Sequence, residues 1–239
     1  MEPVLFYGVP SGCSLASIVA LEWLGQPYRL ARVEMLEQPW DAAYARVNPK
    51  MKTPALLLED GTPLTESLAI LQHIARRADA SRRGPRHDAD ALAETLSYLV
   101  TDLFSAFAPL WAAYEKGDEH PDWVPVLRQF GQAAVEREFA YLETRLKGRD
   151  WLLGGEQPSV ADAYLFAVAR WADYHQLFDT AERFPAVARV LGRLRDDPAV
   201  RFALAVEQGE DGKGAKGGKG DSACLGHVPL QDALGRAQG

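Results

Sequence analysis

The sequence predicts a small α/β unit followed by an all-helical one. Three observations carry this. Strand and helix signals alternate over the first 80 residues, a polar stretch rich in breakers follows at 79–88, and beyond it apolar residues recur only at helical spacing. The expected boundaries are 1–80 for the α/β unit, 88–208 for the helical unit and 209–239 for a tail.

Val4-Leu5-Phe6-Tyr7 reads as a short apolar strand ended by Gly8 and Pro10. Leu15, Ile18, Val19 and Leu21 then fall near helical spacing, and Gly25 closes that helix. Tyr28, Leu30 and Val33 mark a second strand. A polar helical stretch at 41–47 stops at Asn48-Pro49. Pro54 precedes Ala55-Leu56-Leu57-Leu58, and Asp60-Gly61 signals a hairpin into Pro63-Leu64-Thr65. Leu68, Ile70, Leu71 and Ile74 complete the unit as a helix, giving the order βαβ, helix, hairpin, helix. In the second unit Leu92, Leu96, Leu99, Leu103, Phe107 and Leu110 predict one long amphipathic helix. Val126, Leu127, Phe130, Val135, Phe139, Leu142 and Leu146 predict another over Val124 to Leu146. Ser159-Val160-Ala161-Asp162 reads as a capping box opening a helix through Trp171, and two shorter helices follow near 185–194 and 198–206.

Composition excludes several function classes. The chain has 239 residues, 47% of them hydrophobic, with 33 acidic and 26 basic groups, which is ordinary globular composition. A net charge of −7 argues against a nucleic-acid partner. No unbroken apolar run approaches the ~18 residues of a membrane span, and Met1-Glu2-Pro3 does not open a signal peptide, so no membrane association is expected. Two cysteines make no disulfide framework, which points to a reducing cytoplasm. Residues 209–239 carry four groups of each sign, so the whole negative charge belongs to the first 208 residues. The alternation of Gly and Lys at 209–220 reads as flexible chain. Gly212-Lys213-Gly214-Ala215-Lys216-Gly217 matches a dinucleotide fingerprint in letters alone, with no strand before it or amphipathic helix after it. The five histidines show no metal-ligand spacing, so no metal is expected. Cys224 reads as an incidental exposed thiol.

Three features carry chemistry. Cys13 follows the Pro10-Ser11-Gly12 turn at the start of a helix, where free N–H groups and the dipole favour a thiolate; equally, it fits a buried helical cysteine. Ala16 rules out dithiol exchange through C-x-x-C. Thr53-Pro54 heads a strand. If its bond is cis, the Thr53 backbone turns outward to pair with an extended peptide; otherwise it is a tolerated strand-start proline. Glu66-Ser67 opens a helix, as plain capping residues or as a site where the helix N-terminus and hydroxyl hold a carboxylate while Glu66 accepts from an ammonium group. Together they describe a pocket for a small extended peptide bearing a thiol, a carboxylate and an amine.

The order of Tyr7, Ser11, Cys13, Asn48-Pro49, Thr53-Pro54, Asp60-Gly61 and Glu66-Ser67, with Ser159-Val160-Ala161-Asp162-Ala163-Tyr164, resembles the cytosolic glutathione S-transferases over about residues 3–208. Within that family, Pro10 to Leu15 and Asp162 to Trp171 look most like the bacterial beta class. The resemblance implies a thioredoxin-like domain joined to a helical bundle, in a cytoplasmic, detoxifying homodimer with its cleft between the two domains. Glutathione is the implied co-substrate, and a small hydrophobic electrophile its partner in conjugation. Thr53 would bond the cysteinyl backbone with Pro54 cis, Glu66 and Ser67 would hold the γ-glutamyl end, and Lys50 or Lys52 is the candidate for the glycyl carboxylate. Cys13, Ser11 and Tyr7 are the candidates to act on the thiol. One departure stands out. The beta class carries an Asn, a His and a Lys on the long helix, where this chain has Ser97, Phe104 and Ser105, which suggests an apolar electrophile site of Phe104, Trp111 and Trp171. Two alternatives stay open: a glutathione-dependent monothiol disulfide reductase or peroxidase through Cys13, and a non-catalytic binding protein of the same fold.

Overall fold

Four apolar residues, Val4–Tyr7, form β1, the strand around which the first unit is built. In this computed structural model, residues 1–8, 10–36, 39–81, 88–209 and 222–237 are described. β1 runs parallel to β2 (Tyr28–Arg32) and antiparallel to β3 (Ala55–Leu57), which pairs antiparallel with β4 (Pro63–Thr65). All four β1 residues are buried, as a central strand covered on both faces requires. The helix α1 (Ser14–Leu24) links β1 to β2 and ends on Gly25 in the left-handed conformation at φ 66°, where its N–H returns to the Leu21 and Glu22 carbonyls. The hairpin at Asp60-Gly61 turns as its sequence predicts, with Asp60 accepting from the Thr62 amide at 2.9 Å. The helix α2 (Ser67–Ser81) follows β4 and packs on α1.

One face of this sheet presents Val4, Phe6, Ala31, Val33, Ala55 and Leu57 to Tyr44 and Val47, which come from a 3-10 turn (Ala42–Arg46) and its cap. Ala233 and Leu234 complete that cluster. They belong to a segment read from sequence as flexible tail, and here the structure differs. Residues 210–221 lie outside the described residues, but Cys224–His227 form a further strand parallel to β2, and Leu230–Leu234 a short helix. The sheet order is therefore 4-3-1-2 with this last strand at the outer edge, beside β2. Cys224 is half-buried in that strand, and burial pushes its thiol pKa up, so it is not an exposed incidental thiol.

The domain boundary differs as well. The chain divides into Met1–Arg86 with Arg195–Gly239, and His87–Leu194. The last part of the expected helical unit thus returns to the first. The cause is the apolar face of the helix Pro198–Glu207, whose Ala199, Val200, Phe202, Ala203 and Val206 are buried, and which packs on α1. Trp23 on α1 also donates to Asp197 at 3.1 Å, while that carboxylate accepts from the Ala199 and Val200 amides. Most of the predicted hinge, residues 82–87, lies outside the described residues.

The helical unit opens with Ala89–Tyr98, capped by Asp88, which accepts from the Ala91 amide. Where sequence predicts one long helix, a π-helical turn at Leu99–Leu103 intervenes, then short helical pieces at Phe104–Ala106 and Ala108–Lys116. The run Ala89–Lys116 also meets, by length and composition alone, the test for a membrane-crossing helix. A search for unbroken apolar runs misses it because polar residues interleave its leucines. Its stripe of Leu92, Leu96, Leu99, Leu103, Phe107 and Leu110 is buried, and it packs against helices Val124–Leu146 and Val160–Ala169.

The helix Val160–Ala169 is buried along its whole length and depends on its first turn. The predicted capping box is present there: Asp162 accepts from the Ser159 amide and hydroxyl, both at 2.8 Å. Its other oxygen accepts from the Leu152 amide at 2.8 Å. Asp162→Ala removes a wholly buried acceptor and leaves two amides unsatisfied, so we expect a loss of about 3 kcal/mol and a fall in Tm of about 10 °C. Thermal unfolding of the two proteins checks this, and a loss below about 1 kcal/mol contradicts the assigned role.

Candidate functional site

The candidate thiol site lies where β1 gives way to α1. The chain turns through Ser11 in the left-handed region at φ 60°, and Cys13 occupies the position before the first residue of α1. No side chain caps that helix start. The helix dipole places a positive field at that end.

Two other segments meet Cys13 there. The Thr53-Pro54 bond is cis, as the family resemblance implies, and the Thr53 carbonyl lies 4.0 Å from Cys13 Sγ. The Ser67 hydroxyl, at the first residue of α2, donates to the same sulfur at 3.5 Å. The structure therefore gathers Cys13, Thr53 and Ser67 around one point. Gly8 makes this possible, because a Cβ there would stand 2.8 Å from Thr53 Oγ1 and 2.7 Å from Met35 Sδ. Thr53 Oγ1 is itself 3.3 Å from that sulfur.

The turn before Thr53 is held by residues that the sequence does not mark as site residues. The Lys52 carbonyl accepts from Tyr44 Oη at 2.9 Å and from Asn48 Nδ2 at 2.7 Å, and Asn48 Oδ1 takes the Lys50 amide at 3.1 Å. Asn48-Pro49 carries a visible signal for this; Tyr44 carries none. The Lys52 side chain is exposed. Lys50 Nζ pairs with Glu66 Oε1 at 2.7 Å, both side chains well exposed. An exposed pair contributes little to stability and is readily opened by a competing ligand charge. Glu66 sits at φ 70°, so the residue leading into α2 is as unusual in backbone as Ser11. The Tyr7 ring is buried, and a 2.7 Å hydrogen bond joins its hydroxyl to His227 Nε2.

In the helical unit the three candidate electrophile residues come together. The Trp171 ring lies 5.4 Å from Phe104 and 5.2 Å from Trp111, with Trp111 edge-on. Trp171 is 4% exposed and forms the base of this group, whereas Phe104 is 37% exposed. Phe104 follows the π-helical turn directly, and an extra residue in a helical turn rotates everything after it. Sequence periodicity misses Tyr114, Tyr174 and His175, which join the same group through Trp111 at 6.0, 5.3 and 4.5 Å. His175 is 5% exposed, and its Nε2 has no hydrogen-bond partner among the described residues. No group of three possible metal-ligand side chains occurs among the described residues.

Burial, reinforced by Arg128, holds the His175 pKa below its ordinary value of 6.5. The neutral form is thus favoured in the fold, so this contribution to stability is complete above pH 6.5. It is lost as pH falls from 6.5 through the folded value, because the unfolded chain takes up the proton first. We expect Tm to fall more steeply between about pH 7.5 and 5.5 in the wild type than in His175→Leu, followed by calorimetry at each pH. Parallel slopes contradict the assignment.

A mixed sheet with a cis proline opposite a helix-start cysteine, followed by an all-helical unit, defines the thioredoxin-like plus helical-bundle architecture. Residues 10–77 match the family model for the glutathione S-transferase N-terminal domain, and residues 89–193 the model for the C-terminal domain. Glutathione S-transferase GstA of Escherichia coli O157:H7 is 35% identical over 208 residues, covering 85% of this chain and 98% of that protein. A sphingomonad glutathione S-transferase solved in complex with glutathione superposes with a TM-score of 0.74 at 33% identity, over 86% of this chain and 98% of the other. The bacterial beta-class enzyme of Sphingomonas chungbukensis gives 0.72 at 29% identity, over 85% and 98%. The chain belongs to the glutathione S-transferase family.

Proposed function

We propose that this protein is a glutathione transferase that conjugates the glutathione thiolate to a small apolar electrophile. The observation that carries this is the convergence of Cys13, the Thr53 backbone and the Ser67 hydroxyl beside two helix starts. The Thr53 main chain pairs with the cysteinyl unit of glutathione as an added strand. Glu66 takes the γ-glutamyl ammonium, and Ser67 with the first amides of α2 takes its carboxylate. That exchange opens the Lys50–Glu66 pair and leaves Lys50, with Lys52 as the second candidate, for the glycyl carboxylate. Pro54 follows Thr53 through the cis bond just before β3 and has no N–H to offer at this edge. The glutathione thiol gives its proton to solvent, and the field at the start of α1 with nearby donors, Cys13, Ser11 and Tyr7 being the candidates, favours the thiolate that remains. That thiolate attacks the electrophilic carbon; a carbon–sulfur bond forms and the leaving group departs with its electron pair. Phe104, Trp111 and Trp171 supply the apolar surface for the electrophile. We take the working form to be a cytoplasmic homodimer acting in detoxification, a reading supported by family membership.

A second reading is favoured by the position of Cys13 Sγ among polar partners. In it the Cys13 thiolate attacks the glutathione sulfur of a mixed disulfide, and the other half leaves as a thiolate that takes a proton from solvent. A second glutathione thiolate then attacks the Cys13–glutathione disulfide, releasing oxidised glutathione and the Cys13 thiolate.

Calorimetry should show glutathione binding in the millimolar range or tighter, weakened about tenfold in Ser67→Ala, where a hydrogen bond to a charged group is lost. No heat at millimolar ligand would sink the reading. Cys13→Ser separates the two chemistries when assayed with aryl halides and with a mixed disulfide. Conjugation retained within about threefold is expected of the first reading. Conjugation lost together with disulfide reduction would make Cys13 indispensable to both.

A further inference from the structure

The segment beyond Gly209 is the feature that the proposed function leaves unused. Both family models end by residue 193, and GstA is matched over 98% of its length by 85% of this chain. Yet the strand Cys224–His227, here β5, and the helix Leu230–Leu234 are built into the first unit at four separate places. The Tyr28 amide donates to the Ala223 carbonyl at 3.3 Å, and the Val228 amide to Leu30 at 2.9 Å, so the segment adds to β2 as a parallel strand. Glu22 on α1 accepts from the Cys224 amide at 3.1 Å and the Ala223 amide at 3.3 Å, with the Ser222 hydroxyl at 3.1 Å. Ala233 and Leu234 are wholly buried beside Phe6 and Tyr44, and Gln231 donates to Asp41. Finally, His227 Nε2 meets the Tyr7 hydroxyl at 2.7 Å.

We infer that residues 222–237 are a built-in added strand and cap of the glutathione-binding unit, and that His227 is a positioning residue of the thiol site, acting through Tyr7. The positioning claim rests on the proposed reading of that site. Tyr7 is the last residue of β1, and the chain leaves it directly for Gly8, Ser11 and Cys13. A strand end is the part of a sheet most free to fray, and Ser11 beyond it holds a left-handed conformation that the surroundings must maintain. The bond to His227 ties the outer end of the Tyr7 side chain to β5, itself clamped by Glu22 at one end and by Leu234 at the other. The turn carrying Cys13 is then fixed from behind by a group that the family models do not include. Tyr44 serves both arrangements: its ring packs with Leu234 and Phe6, and its hydroxyl holds the Lys52 carbonyl next to Thr53.

Two measurements on the full chain test this. For docking, hydrogen exchange at the Tyr28 amide should be slow in the wild type and faster by about tenfold or more in Leu234→Asp, with the helix Val160–Ala169 unchanged. Equal protection in both proteins overturns the docking, and needs no glutathione to do so. For positioning, His227→Leu should raise the KM for glutathione about threefold with little change in kcat, as expected for one lost hydrogen bond at a half-exposed site. His227→Gln, which keeps a polar group at that reach, should recover most of the loss. Tyr7→Phe should raise the KM at least as much as His227→Leu, and adding His227→Leu to Tyr7→Phe should raise it no further. An unchanged KM in His227→Leu, no recovery with Gln, or effects that multiply in the double variant overturn it. A wild type that binds no glutathione refutes the site reading instead, and leaves the exchange result to decide the docking.

Discussion

One carbonyl group holds the candidate site together. Lys52 O accepts from both Tyr44 and Asn48, one residue before the Thr53 backbone that must face Cys13. Both donors come from the 3-10 turn and its exit, and that turn is packed against the sheet through the Tyr44 ring and Val47. The sheet core therefore sets the position of the Thr53 edge directly. Gly8 completes the arrangement from the β1 side, since its missing side chain is what lets Thr53 and Met35 come so close. Moving any one of these three pieces moves Thr53 relative to Cys13.

Backbone strain is concentrated at the same place. Among the described residues, Ser11, Met51, Glu66 and Gln176 are the non-glycine positions with positive φ, and the first three flank the candidate thiol site. Each such residue costs on the order of 1 kcal/mol, and it persists only where its surroundings over-determine it. Here the surroundings are identifiable: the β1 end behind Ser11, the Asn48 carbonyl accepting from Met51 at 2.9 Å, and the first turn of α2 beyond Glu66, where the Ile70 amide donates to the Glu66 carbonyl at 3.0 Å. These residues stand one or two positions before Cys13, Thr53 and Ser67, and strain so placed fits a pre-organised candidate site better than a loop with no task. Glycine at these positions would relieve the strain and also release the geometry.

The strands and most helices were legible in the sequence because their signals are local. Alternation in Val4–Tyr7, glycine after α1, Asp60-Gly61 and the Ser159–Asp162 box each act within a few residues. Cys13, Thr53 and Ser67 were legible as a set because each sits beside its own punctuation, a turn, a proline or a hairpin. What escaped was decided by partners distant in sequence. Tyr44 looks like any aromatic on a polar turn until its hydroxyl finds Lys52. His175 belongs to no periodic stripe yet is buried among rings. The π-helical turn at Leu99–Leu103 leaves the leucine spacing intact while rotating Phe104 outward, so periodicity alone reports a continuous helix.

The C-terminal segment escaped for the same reason, and the fold explains its path. Parallel strands cannot be joined by a tight turn, so the chain must travel far before returning beside β2. The helix Pro198–Glu207 makes that return. Its packing on α1 brings the chain back to the helix that also carries Glu22, the acceptor for the Ala223 and Cys224 amides. Once there, β5 covers the row of backbone groups that β2 would otherwise expose, which removes a template for intermolecular pairing. The new outer edge is a poor template in its turn. β5 has only four residues, contains Gly226 and is followed closely by Pro229, while β4 at the opposite edge has three residues and opens on Pro63. Both edges are thus short and closed by proline, and the strands between them are left to position the candidate thiol site.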